Sequence, residues 1–279
     1  MHCLLQRNWH LSVRMETKKL LSEVTYCGTD GEYCARLLVQ PQSFLVLNAQ
    51  WEVYRTPEGA VDKIMELPQL CGLEVYFNSG PALREALSTL QDSYAASLFA
   101  DAVRAVIQSE TFLYRERGFH STAAYDEYWN TNFLNSCRFY SNLDRVSCKW
   151  YDHVGIDHRS GNLFNRMKSQ FLYSTANGYR LNGHLNDSFH GVFSELELAG
   201  DGSTVIKARG DLLRAPDAVC QESVLYMQEL EGKSLGGLKK RDMAELLGSH
   251  EGCVHLFETV FDSMETLKLY RDLQTKTGA

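Results

Sequence analysis

Eight cysteines are present, yet no two of them form a Cys-x-x-Cys pair. That absence argues against a zinc ribbon or a thioredoxin-type site. Also missing is any apolar run near the roughly 18 to 20 residues needed to cross a bilayer. The first 19 residues hold Arg7, Arg14, Lys18 and Lys19 but no apolar core of a secretory signal. The expectation is a cytoplasmic protein with no membrane partner, whose cysteines are thiols or metal ligands rather than disulfides. Basic charge is scarce as well: the net charge is −7 and the pI is near 5.7. A nucleic-acid partner is therefore not expected, since it would call for a basic face. The one basic cluster, Lys239-Lys240-Arg241, reads as a solvated helix start. A Ser-His-Asp hydrolase is not expected. Gly232-Lys233-Ser234 lacks the upstream glycine and strand of a phosphate loop.

What is present is a globular composition, 44% apolar and 23% charged over 279 residues, enough for one large domain or two ordinary ones. The two halves resemble each other. Asn48-Ala-Gln-Trp-Glu-Val-Tyr-Arg-Thr-Pro57 parallels Ile206-Lys-Ala-Arg-Gly-Asp-Leu-Leu-Arg-Ala-Pro216, with the prolines 159 positions apart. Leu98-Phe99 recurs as Leu256-Phe257 at an offset of 158, and Tyr114-Arg115 as Tyr270-Arg271 at 156. A nearly constant offset through strand, turn and helix signals duplication.

The expected fold class is α+β, as two tandem repeats, each a small antiparallel sheet packed against helices. In the first repeat (1–115), β-rich segments are expected at 21–26, 33–39 and 43–53. In the second (162–279), they lie within 178–213, with turn signals at Asn182-Gly183 and Asp201-Gly202, the latter the better hairpin. Pro216-Asp217 predicts a helix start running to Leu230. A short helix over 239–247 and a last helix carrying Cys253, Leu256, Phe257, Val260, Met264 and Leu267 follow. Between the repeats, 116–161 is an insert rich in aromatics, including Tyr125, Trp129, Phe139 and Trp150. It is too apolar for a free linker and reads as a structural clasp or a lid.

The densest chemistry is Gly252-Cys253-Val254-His255-Leu256. Under the duplication Cys253 falls opposite Ala95, His255 opposite Ser97 and Cys220 opposite Val61, so both thiols and the imidazole belong to the second half alone. Helix starts stabilise thiolates. Two Cys and one His are soft donors suited to zinc or iron. Cys220, Cys253 and His255 are thus candidate metal ligands, with His190 or Asp187 as a fourth and His184 behind them. Cys253 as nucleophile with His255 as base is a further option, and these two are the candidate catalytic residues. Cys220, on an apolar stripe with Val224 and Met227, also reads as an inert core thiol. Residues two apart do not share a helix face, so joint ligation by Cys253 and His255 would need the helix edge. Cys27 with Cys34, and Cys137 with Cys148, are lesser metal candidates. The rival reading is a small-molecule-binding or interaction protein, with its ligand between the two repeats and purely structural thiols. A homodimer is compatible with either.

Two family resemblances follow from these residues. From Gly183-His184-Leu185-Asn186-Asp187 through Ala215-Pro216 and Cys220 to Gly252-Cys253-Val254-His255-Leu256, the second half resembles an uncharacterised bacterial family with a C-terminal Gly-Cys-Thr-His-Leu signature; Val254 stands here in place of the threonine. The order of strands, Cys220, Glu231-Gly-Lys-Ser-Leu235 and a Cys/His pair before the last helix also resembles the U-type iron–sulfur cluster scaffold proteins. That resemblance implies a scaffold-like α+β fold and cluster ligands at Cys220, Cys253 and His255. Here, however, the pair is Cys-x-His rather than His-Cys, and the scaffold's middle cysteine has no counterpart. The functional expectation is a metal-binding protein (zinc or iron, extending to an iron–sulfur cluster), acting as an enzyme or a carrier.

Overall fold

The computed structural model describes residues 1–90, 92–156 and 159–277. It is a mixed α+β fold built on a large sheet of nine strands. The strands are β1 (His2–Glu16), β2 (Lys19–Gly28), β3 (Glu32–Val39), β4 (Val46–Thr56), β5 (Gly59–Glu66), β6 (Asn162–Thr175), β7 (Gly178–Asp187), β8 (Gly191–Leu198) and β9 (Val205–Arg214). The α-helices are α1 (Gly80–Leu87), α2 (Ser93–Ser109), α3 (Thr122–Asn132), α4 (Arg138–Ser141), α5 (Trp150–Val154), α6 (Lys240–Leu247) and α7 (Val254–Thr277). Contacts divide the chain into two compact units: Asn8–Tyr125 with Gly155–Met167, and Met1–Arg7, Asp126–Val154 and Lys168–Ala279. The aromatic insert is thus split, and its larger part, Asp126–Val154, belongs with the C-terminal half.

In the N-terminal unit β2, β3, β4 and β5 pair antiparallel in sequence order. Residues of one face alternate inward along β2 (Leu20, Ser22, Val24, Tyr26), as a half-buried strand requires. Helix α2 lies across β2 and β3. Asp92 caps it by accepting from the Tyr94 and Ala95 amides, which satisfies two of the free N–H groups of the first turn. Its buried face carries Ala95, Leu98, Phe99, Ala102 and Val106 at helical spacing.

The C-terminal unit pairs β7, β8 and β9 antiparallel and lays α7 across β7 and β8. Asn182-Gly183 is not a turn: it lies inside β7. A Cβ on Gly183 would stand 2.6 Å from Thr259 Cγ2 and 2.7 Å from Ser194 Oγ, so the glycine lets the helix approach the strand. Asp201-Gly202 does fall between β8 and β9. The segment after Pro216 departs from the expected α-helix. Ala218–Leu230 is a run of 3-10 turns, started by Asp217 accepting from the Val219 amide. It buries Cys220, Ser223, Met227 and Leu230, a spacing of three to four residues that both helical pitches satisfy. The core of this unit gathers Leu181, Leu196, Leu212, Met227, Leu247, Leu256 and Val260 with Cys220 and Cys253. Among the described residues no helix is long and apolar enough to cross a membrane.

Candidate metal centre

The turn between β7 and β8 is Asp187-Ser188-Phe189-His190. Asp187 folds it locally: its Oδ1 accepts from the amides of Phe189 (2.8 Å) and His190 (2.7 Å) and from His190 Nδ1 (3.2 Å). The Asp187 amide closes the turn by donating to His190 O at 2.8 Å. Arg214, at the end of β9, donates to the carbonyls of both Asp187 and His190. Asp187 and His190 are thereby fixed without help from the rest of the chain.

His255 comes from the first turn of α7. Gly252 sets that helix start, because a Cβ there would stand 2.2 Å from Leu247 O, the atom to which the Cys253 amide donates. With α7 lying across β7 and β8, the His255 ring stacks on His190, centroids 3.8 Å apart and planes 28° apart. One ligand atom from each of Asp187, His190 and His255 lies within 4.8 Å of the others, and Asp187 and His190 are buried. Among the described residues this is the one group of three or more such side chains.

The cysteines stand apart from that group. Cys220 and Cys253 are both buried and free. Burial pushes the Cys253 thiol up to about 11, against the amides of Leu256 and His255, which pull the other way. Burial pushes Cys220 up to about 12, and the neighbouring Cys253 and Cys137 add to the rise. The helix start that was expected to favour a thiolate is outweighed by the apolar core around the sulfur. His184 sits on β7 facing Phe193, ring centroids 5.2 Å apart. Cys34 is buried on β3, where it accepts from Thr25 Oγ1, whereas Cys27 is exposed. Cys148 donates its amide to Asp217. The string Gly232-Lys233-Ser234-Leu235-Gly236 spells a Gly-x-Ser-x-Gly pattern. The exposed Ser234, though, bridges to Thr204 between two 3-10 segments, not on a strand-to-helix elbow.

Sequence reasoning missed His153, whose Nε2 is 2.9 Å from Phe189 O in the ligand-bearing turn. Burial holds its imidazole below the usual range, favouring the neutral ring, which can donate from Nε2. Trp150 packs edge-on against Phe189 (5.0 Å) beside it. The same insert binds the α7 start: Arg138 donates its amide to Gly252 O, and Ser141 Oγ donates to His250 O. No local pattern marks His153, because it reaches the turn only through the fold of Asp126–Val154.

No curated protein and no solved structure matches the chain. Residues 167–268, which contain Asp187, His190, Cys220, Cys253 and His255, match a family model described as a protein of unknown function (DUF2889).

Proposed function

We propose that the C-terminal unit binds one zinc or ferrous ion through Asp187, His190 and His255, serving a metal-dependent enzyme or a metal carrier. The carrying observation is the convergence of three donors from two distant segments within 4.8 Å. At ligand bonds of about 2.0–2.2 Å two donors can be at most about 4.2 Å apart, so the group needs to close only slightly on a metal. Two imidazoles and a carboxylate suit zinc or non-haem ferrous iron and leave coordination positions open for water or substrate. Cluster binding, which needs thiolates, is the poorer fit to this donor set. The Asp187 Oδ1–His190 Nδ1 contact resembles the carboxylate–histidine support common around metal ligands and leaves Nε2 of that ring as the ligating atom.

The fold around the site is best read as an internal duplication at an offset of 159. In β2–β3 Leu20 pairs with Val39, and in β7–β8 Tyr179 pairs with Leu198. In β3–β4 Leu37 pairs with Ala49, and in β8–β9 Leu196 pairs with Ala208. Each pair shifts by 159 into the other. The register breaks at Glu32/Tyr33 and Leu38/Val39 map onto those at Gly191/Val192 and Glu197/Leu198. The turn bond from Gly28 N to Gly31 O maps onto that from Asp187 N to His190 O. The ligand positions of the second copy are therefore glycines in the first.

The test is elemental analysis of tag-free protein purified without air. Near-stoichiometric zinc or iron is expected, falling at least tenfold in His190→Ala and His255→Ala and unchanged in Cys220→Ser and Cys253→Ser. Apoprotein whose zinc and ferrous-ion affinities are the same with and without the two histidines overturns the assignment.

A further inference from the structure

The N-terminal unit holds a second feature that the metal site does not use, an open cavity of about 470 Å³. That is within the range of about 300–1,000 Å³ typical of small-molecule sites. Its floor is apolar and buried, made by Phe112, Tyr114, Ile156 and Leu163. Its charged lining is Lys18, Arg115 and Arg159 against the single acid Glu116. In a chain of net charge −7, this local excess of positive charge attracts anions.

We propose that this cavity binds an amphipathic organic anion, a carboxylate carried on an aromatic or short aliphatic body. The two guanidiniums are backed by rings: Arg159 lies 5.2 Å from the Phe112 centroid and Arg115 5.1 Å from that of Tyr114. Arg159 is also tied to Leu163 O at 3.3 Å. A guanidinium held flat against an aromatic ring keeps its N–H edge for a planar, two-oxygen acceptor, the geometry of a carboxylate. Lys18 sits at the β1–β2 turn with φ of 65°, next to Thr17 at 46°. Hairpins that need two positive φ values favour Asn-Gly there; here a lysine occupies such a position on the cavity wall. A nucleotide is the poorer fit, since no glycine lines the cavity to cradle a phosphate chain.

Isothermal titration of the full chain with octanoate, and with octan-1-ol as the uncharged comparison, tests the assignment. Saturable octanoate binding is expected, with octan-1-ol at least tenfold weaker. The double variant Lys18→Gln/Arg115→Gln, altered only at exposed side chains, is expected to lose at least tenfold for octanoate and nothing for octan-1-ol. Ser160→Trp, at the exposed rim, is expected to weaken both. Equal binding of acid and alcohol, an unchanged double variant, or no saturable octanoate binding overturns the proposal, with circular dichroism confirming that each variant is folded.

Discussion

At the scale of single residues, the environment of a side chain outweighs its place in a motif. Cys253 begins a helix, the position that lowers a thiol pKa in exposed settings, yet it lies in an apolar core that pushes it up to about 11. At pH 7.5 the thiolate is then on the order of one part in a thousand or less. Alkylation by iodoacetamide at that pH is expected to modify the exposed Cys3, Cys27 and Cys71 first. Cys220 and Cys253 should react at least 100-fold more slowly until denaturant is added, as followed by peptide mass spectrometry. Rapid, pH-dependent labelling of Cys253 in folded protein would return it to candidacy as a nucleophile. Of the residues read as donors from sequence, Asp187, His190 and His255 are brought together and the two cysteines are not. The residue types and the half of the chain were legible. Which donors converge was decided by the register of one turn against one helix.

At the scale of elements, alternation and helical spacing located β2, β3, β4, α6 and α7, because each buries one face at a regular period. β5 was not legible: it is an edge strand exposed along almost its whole length, so no apolar alternation marks it. β1 was passed over because its inward residues, Leu5, Trp9, Leu11 and Val13, are interleaved with Arg7, His10 and Arg14 and carry no turn signal before Thr17. The 3-10 segment depends on Asp217, which joins two parts of the C-terminal unit. One carboxylate oxygen accepts from Val219, and the other accepts from the Ser147 and Cys148 amides and from Ser147 Oγ. Burial raises its pKa, but those donors outweigh burial and hold it down at about 2. A carboxylate held below its unfolded value of about 3.9 adds stability above that pH, and the contribution is lost as pH falls toward 2. Asp217→Ala is expected to cost about 1–2 kcal/mol at pH 7. In thermal melts the gap from the parent protein should narrow between pH 4 and pH 2. A gap that stays constant with pH would mean that the charge on Asp217 is not what holds the segment.

At the scale of the whole molecule, a duplication raises the question of how many metal ions a chain takes. The N-terminal copy has the same turn, closed by the same hydrogen bond, but Gly28 and Gly31 stand where Asp187 and His190 do. The space their side chains would need is filled. A Cβ on Gly28 would lie 2.3 Å from Tyr26 Oη, and one on Gly31 would lie 2.5 Å from the Tyr33 ring. Asp30 in that turn accepts instead from the hydroxyls of Tyr26 and Tyr94, the latter from the first turn of α2. Tyr33 and Tyr94 stack with centroids 4.5 Å apart. One copy therefore spends this corner on aromatic packing and the other on converging donors, so one ion per chain is expected rather than two. Gly28→Asp with Gly31→His should not create a second site. It should destabilise the protein by about 1–3 kcal/mol, the usual range for forcing atoms into a filled core, and leave the metal content at one. A second bound equivalent in that variant would mean that the tyrosines yield readily and that the two copies differ by little more than two side chains.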